Sequence, residues 1–229
     1  MELNENSLLV RITDLLYAPS PSIGTALGTA PSHHMVMENL LYGKSDCSTD
    51  DQKKWETYDL KPNTYFYPER DVMGGKLAPE SVKERLIDEF PDKIRVTIEE
   101  KEELVSQLTR DTKILQDANA VDYSLFVVRY PASLSSVEGG KVPVPPGRPS
   151  SWRNGTVSRD EKWIYRAILL DFFWAKDSLQ AQAMSITTTT DEYRQRFLKM
   201  VDDIVEVVDS AGRPAGEVRN TAGEASDDS

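Results

Sequence analysis

Cysteine is nearly absent from this 229-residue chain. Cys47 stands alone, which excludes an internal disulfide and fits a reducing compartment. Histidine is as scarce: His33 and His34 with one cysteine cannot assemble an ordinary structural zinc site. Long apolar runs are missing too. Stretches such as Ala167 to Leu170 fall far short of a membrane span, and acidic and polar residues follow Met1 where a secretory signal would be apolar. Positive charge is in deficit, with a net charge of −11. That excludes general binding to nucleic acid, whose phosphates need a basic face, and weighs against purely electrostatic adhesion to anionic lipid. These absences describe a cytoplasmic protein with no transmembrane segment and no nucleic-acid partner, whose membrane contact would be peripheral and local.

What is present suffices for a core. Hydrophobic residues make up 39% of the chain and charged residues 28%, ordinary values for a soluble globular protein of one large domain or two small ones. Residues 7 to 18 read as a short helix running into a strand, and Pro19 to Pro31 as a hairpin loop. His34 to Tyr42 follows as a buried strand, paired with the first. Lys44 to Trp55 is turn-rich, and Thr57 to Lys61 is extended until Pro62 stops it. Tyr65 to Leu77 reads as an ordered loop and Pro79 to Phe90 as a helix. Thr97 and Glu100 form a capping box, opening a helix to about Asn119 with Leu104, Leu108 and Leu115 inward.

Val121 to Tyr130 is apolar, β-branched and aromatic, so it reads as a central buried strand with Asp122 at its mouth. Pro131 to Asn154, rich in Pro and Gly, is a long surface excursion. Trp163 to Leu170 is a second buried strand, ended by Asp171. Asp191 to Val208 closes the fold as a helix, with Tyr193, Phe197, Met200, Val201, Ile204 and Val208 facing in. The expected class is α+β, an antiparallel sheet flanked by helices over residues 1–209. Residues 210–229 are expected to be a disordered acidic tail.

Three short stretches bear acids or a lysine at element ends, and each has a plain alternative. Asp122 either caps a turn or presents a carboxylate from a rigid corner. Asp59 and Lys61, two residues apart on an extended segment, point the same way. They are either a surface ion pair or two charged groups that reach one ligand. Asp171 either ends its strand in a turn or presents a carboxylate from a fixed strand end.

The wording of these stretches is distinctive. Asp122-Tyr123-Ser124-Leu125-Phe126-Val127 resembles the Met-Asp-Tyr-Ser-Leu-Leu-Val-Gly signature of the phosphatidylinositol phosphate kinases. Tyr58-Asp59-Leu60-Lys61-Pro62-Asn63-Thr64 resembles that family's Tyr-Asp-Leu-Lys-Gly-Ser-Thr, and Leu169-Leu170-Asp171 its Ile-Ile-Asp. Val36-Met37-Glu38-Asn39-Leu40 resembles the hinge strand whose backbone meets adenine. Gln107 to Leu115 and Tyr193 to Phe197 resemble two of its helices, all in the family's order across residues 7 to 208.

The resemblance implies a kinase-like carboxy-terminal lobe and transfer of phosphate from ATP, with Mg2+, to a phosphoinositide headgroup hydroxyl. It implies Asp122 as base or orienter, Lys61 and Asp59 at the transferred phosphate, Asp171 as magnesium ligand, and Asn39 and Leu40 beside the adenine. The chain also departs from the pattern. No Gly-x-Gly-x-x-Gly precedes Met35, so the amino-terminal lobe is expected to be largely absent. Pro62-Asn63 replaces Gly-Ser, and Phe172 to Thr190 holds one lysine where the family has many. Weak or no turnover by this chain alone is therefore expected. The alternative is a degenerate kinase lobe serving as a module for a protein partner.

Overall fold

The computed structural model describes residues 6–17, 33–62, 90–134, 142–146, 150–172, 174–175, 188–209 and 212–214. From Leu8 the described chain is extended, not helical. Leu8 to Val10 lies along a later strand, with Val10 N–H donating to Leu169 O at 3.0 Å and Leu169 N–H to Leu8 O at 2.7 Å. Backbone pairing here overrides the ambiguous apolar period of the sequence. β1 (Ile12–Tyr17) and β2 (His33–Met37) then pair antiparallel as expected. The loop read between them lies outside the described residues.

β2 departs from expectation, because all five of its residues are exposed, as are all six of β1. An apolar run says that a strand prefers cover, not that cover is present. Register sets Ile12 opposite Met37, Leu15 opposite Met35 and Tyr17 opposite His33, whose rings are 4.7 Å apart.

A 3-10 turn (Lys44–Asp46) and the short α1 (Thr49–Gln52), capped by Ser48, lead to β3 (Glu56–Leu60). The expected loop over Tyr65 to Leu77 lies outside the described residues, as does the helix from Pro79 except for Phe90. β4 (Ile94–Val96) precedes α2 (Ile98–Asp117), whose capping box joins Thr97 and Glu100 as read. β5 (Ala120–Val121) is separated from β6 (Ser124–Pro131) by two residues, so the central strand is broken at Asp122. α3 (Ser151–Asn154), β7 (Thr156–Val157), β8 (Trp163–Leu170) and β9 (Trp174–Ala175) follow. α4 (Thr190–Ile204) gives way to β10 (Val205–Val207), parallel to β4. The helical reading to Val208 thus overshoots. Valines at 201, 205 and 208 satisfy a helical stripe, but 205 and 207 are β-branched and find an open strand to pair with.

The main sheet runs β3-β6-β8-β7, antiparallel throughout, so the mixed α and β class holds. Its two faces feed two cores, which is why β6 and β8 read as nearly continuous apolar runs. Leu125, Val127, Ala167 and Leu169 pack on one side with Leu104, Leu108, Leu115, Tyr193, Phe197 and Val201 from α2 and α4. Val128, Tyr130 and Ile168 pack on the other with Leu40, Trp55, Leu134 and Val142.

The Pro-rich stretch after β6 therefore packs in part. Trp152 and Arg153 are buried, and Trp152 Nε1 donates to Glu100 O at 3.0 Å. A bulky aromatic and a guanidinium with partners outweigh a loop-like composition. Of the expected tail, residues 212–214 are described and turn back, with Arg213 N–H donating to Asp209 Oδ1 at 2.9 Å.

Asp111, fully buried on α2, explains how the amino-terminal strand is held. Its carboxylate accepts from Leu8 N–H at 2.6 Å and from Gln107 Nε2 at 3.1 Å. Burial pushes the Asp111 carboxyl above its ordinary value, outweighing those bonds and the pull of Arg153. The folded state therefore keeps this proton to a higher pH than the unfolded chain does. Stability from Asp111 is greatest below the unfolded carboxylate value of about 4 and falls as pH rises through the folded one. Asp111→Asn should flatten that decline, since Gln107 can turn its amide oxygen toward the new amide. Urea unfolding across the acid range checks it; an unchanged slope would contradict the assignment.

Candidate functional site

The ladder brings three chain ends to one end of the main sheet. Leu60, last in β3, pairs with Leu125, and Leu170, last in β8, pairs with Ser124. Lys61 and Asp171 each follow their strand by one residue, and Asp122 occupies the break before β6. These three meet. Lys61 Nζ lies 3.2 Å from Asp122 Oδ1 and 3.7 Å from Asp171 Oδ2. The lysine side chain is 10% exposed and the two aspartates 25% and 54%, so the cation is enclosed while the acids open to solvent.

Both aspartates have left-handed backbone, φ 64 for Asp122 and φ 61 for Asp171. Few residue types besides glycine take that conformation readily, and Asp is one of them because its short polar side chain bonds locally. The sequence therefore bends at two acids, and the bends place both carboxylates at the same ammonium. Strain of this kind clusters at functional sites, though it does not define one.

Asp59 pairs in register with Phe126 and is half-buried. It lies on the opposite face from Leu60, the face toward which alternation also sends Lys61 and Ser124. Ser124 is fully buried, and its hydroxyl has no hydrogen-bond partner among the described residues. Two carboxylates already sharing one cation suit Mg2+, which takes one or two acids and completes its shell with water and phosphate oxygens. Among the described residues, no three His, Cys, Asp or Glu side chains form a ready-made metal cage.

Asn39 and Leu40 stand in a turn after β2, beside the same face. Leu40 belongs to the core cluster against which Leu170 and Phe172, the neighbours of Asp171, also pack. The acceptors of both residues are engaged. Asn39 Oδ1 accepts from Leu41 N–H at 2.9 Å, Asn39 O from Tyr42 N–H at 3.2 Å, and Leu40 O from Arg166 at 3.1 Å. A base here would have to share a carbonyl's second lone pair or use N–H donors.

Sequence reasoning missed the groups that hold this turn. Arg166 in β8 is fully buried and bonds four main-chain carbonyls. Arg153 pairs with Glu38 and also donates to Ser7 O at 2.5 Å and Leu9 O at 3.0 Å. The available signal was a lone arginine inside an otherwise apolar strand, because such a charge must be fully partnered to be buried.

A family model described as Phosphatidylinositol-4-phosphate 5-Kinase matches residues 1–161. That span contains Asp59, Lys61 and Asp122 and stops short of Asp171. No curated protein matches the chain. No helix among the described residues is long and apolar enough to cross a membrane.

Proposed function

The chain belongs to the phosphatidylinositol phosphate kinase family, and on that premise we propose that Lys61, Asp122 and Asp171 are the phosphoryl-transfer centre of a kinase-like carboxy-terminal lobe. The observation that carries this reading is one lysine bridging two acids from separate family motifs. Phosphoryl transfer needs in-line positioning and cations against spreading negative charge. Asp122 orients the inositol hydroxyl of a phosphoinositide and draws off its proton. Asp171, the more open acid, would hold Mg2+, which when bound would neutralise the phosphates of ATP. The Lys61 ammonium offsets the charge of the phosphate in transit to that hydroxyl, with Asp59 behind it on the same face. Asn39 and Leu40 edge the adenine.

Turnover by this chain is slow on this reading. The cluster itself sums to one negative charge, within a chain of −11, so a triphosphate meets repulsion until metal arrives. The assay is incorporation of γ-phosphate from labelled ATP into vesicles holding phosphatidylinositol-4-phosphate. A low rate that Asp171→Asn reduces by about 10²-fold or more is expected. Labelling no faster than a protein-free blank would defeat the reading. A module for a protein partner is the second reading, and the exposed apolar ladder of β1 and β2 favours it. Pull-down with Leu15→Asp and Met35→Asp controls separates the two.

A further inference from the structure

Lys61 and a divalent cation have the same two ligands available. The ammonium already sits between Asp122 and Asp171, 3.2 and 3.7 Å from their oxygens. A metal bound by both carboxylates would stand beside that ammonium with like charge and little water between, because the lysine side chain is nine-tenths covered. Resting on the reading of this cluster as a phosphoryl-transfer centre, we propose that Lys61 is an interlock. It fills the cation position of the resting site, it must leave for a divalent cation to enter, and once displaced it is the charge that meets the incoming phosphate.

Lys61 is well placed for such a swing. Its backbone is bounded by the end of β3 at Leu60 and by Pro62, whose ring fixes φ, so the four-carbon stem supplies the motion. A second observation points to a ligand at this spot. Ser124 starts β6 opposite Leu170 and two residues after Asp122, on the sheet face that alternation gives Lys61. Its hydroxyl is fully buried and has no partner among the described residues. A buried hydroxyl left unsatisfied calls for an explanation. A water brought in with a divalent cation, after the ammonium has gone, would supply one by donating to the Ser124 oxygen.

The interlock predicts that removing the lysine's charge improves metal binding. Mn2+ is the probe, followed by electron paramagnetic resonance of the free ion in titrations of the whole 229-residue protein at low salt. Lys61→Met, which keeps most of the stem, should bind Mn2+ about tenfold more tightly than the parent chain. Lys61→Arg, whose planar fork grips carboxylates more firmly, should bind it more weakly than the parent. Asp171→Asn in the Lys61→Met background should abolish the gain.

Far-ultraviolet circular dichroism establishes that each variant is folded. If Lys61→Met does not fold, Lys61→Arg alone still decides, since Mn2+ affinity equal to or above the parent's overturns the interlock. Mn2+ binding unchanged or weaker in a folded Lys61→Met overturns it too, while leaving the phosphoryl-transfer reading in place. Absence of Mn2+ binding in every variant overturns both.

Discussion

Arg166→Met should cost about 3 kcal/mol of stability, read as a shift of the urea midpoint with unchanged slope. Arg166 is fully buried at the centre of β8, and its four bonds all go to main-chain carbonyls. They are Asn154 at 3.2 Å, Leu40 at 3.1 Å, Tyr42 at 2.7 Å and Pro143 at 2.8 Å. The guanidinium also lies over the rings of Tyr130 and Trp55, 5.3 and 5.7 Å from their centroids. Burial lowers its pKa against the raising effect of Tyr130. Relief of that desolvation is what methionine would gain.

The loss is larger. Each buried carbonyl left without a donor costs about 1–3 kcal/mol. Gly43, next after the turn, lies close on Pro143, where a Cβ would meet Pro143 Cδ at 2.9 Å, and its φ is +87. Water reaches Tyr42, which is exposed, so the full sum is not realised. Arg166→Lys, with one compact ammonium, should recover only part of the loss. A Met variant within 1 kcal/mol of the parent would mean that the carbonyls are hydrated and that Arg166 is not the clasp of this turn.

Those arginines show where sequence reading stops. Local chemistry was legible: the Thr97 and Glu100 capping box names its helix, and β8 ends at Leu170 because Asp171 cannot continue an apolar run. Residues whose fate depends on partners distant in sequence were not. Ile12, Leu15, Met35 and Val36 form a strand pair that lies in solvent, while Arg153 and Arg166 are more deeply buried than most of the described leucines. Hydropathy ranks those two groups the wrong way round, since burial of a charge is decided by carbonyls and acids that only the fold brings near. The same holds for the cluster. Spacing does not bring Lys61 to Asp122 across 61 residues; the family wording suggested it, and the register of β3, β6 and β8 supplies the geometry.

Asp122→Asn should separate chemistry from folding. If Asp122 orients and deprotonates the acceptor hydroxyl, an amide in its place loses both charge and basicity. Transfer to phosphatidylinositol-4-phosphate should then fall by about 10²–10⁴-fold in kcat. The KM for ATP should rise far less than kcat falls, because Asp171 would still hold the metal that accompanies the nucleotide. Stability should change by less than about 1 kcal/mol. The side chain is a quarter exposed, and Lys61 keeps Asp171 at 3.7 Å as its counter-charge. Asparagine also tolerates the left-handed backbone at φ 64, so the corner survives. Asp122→Ala is the useful contrast, since alanine pays about 1–2 kcal/mol for that conformation while losing no more activity. Should the Asn variant instead unfold several kcal/mol more easily with its residual turnover intact, Asp122 is a structural corner, and the hydroxyl must find its base elsewhere.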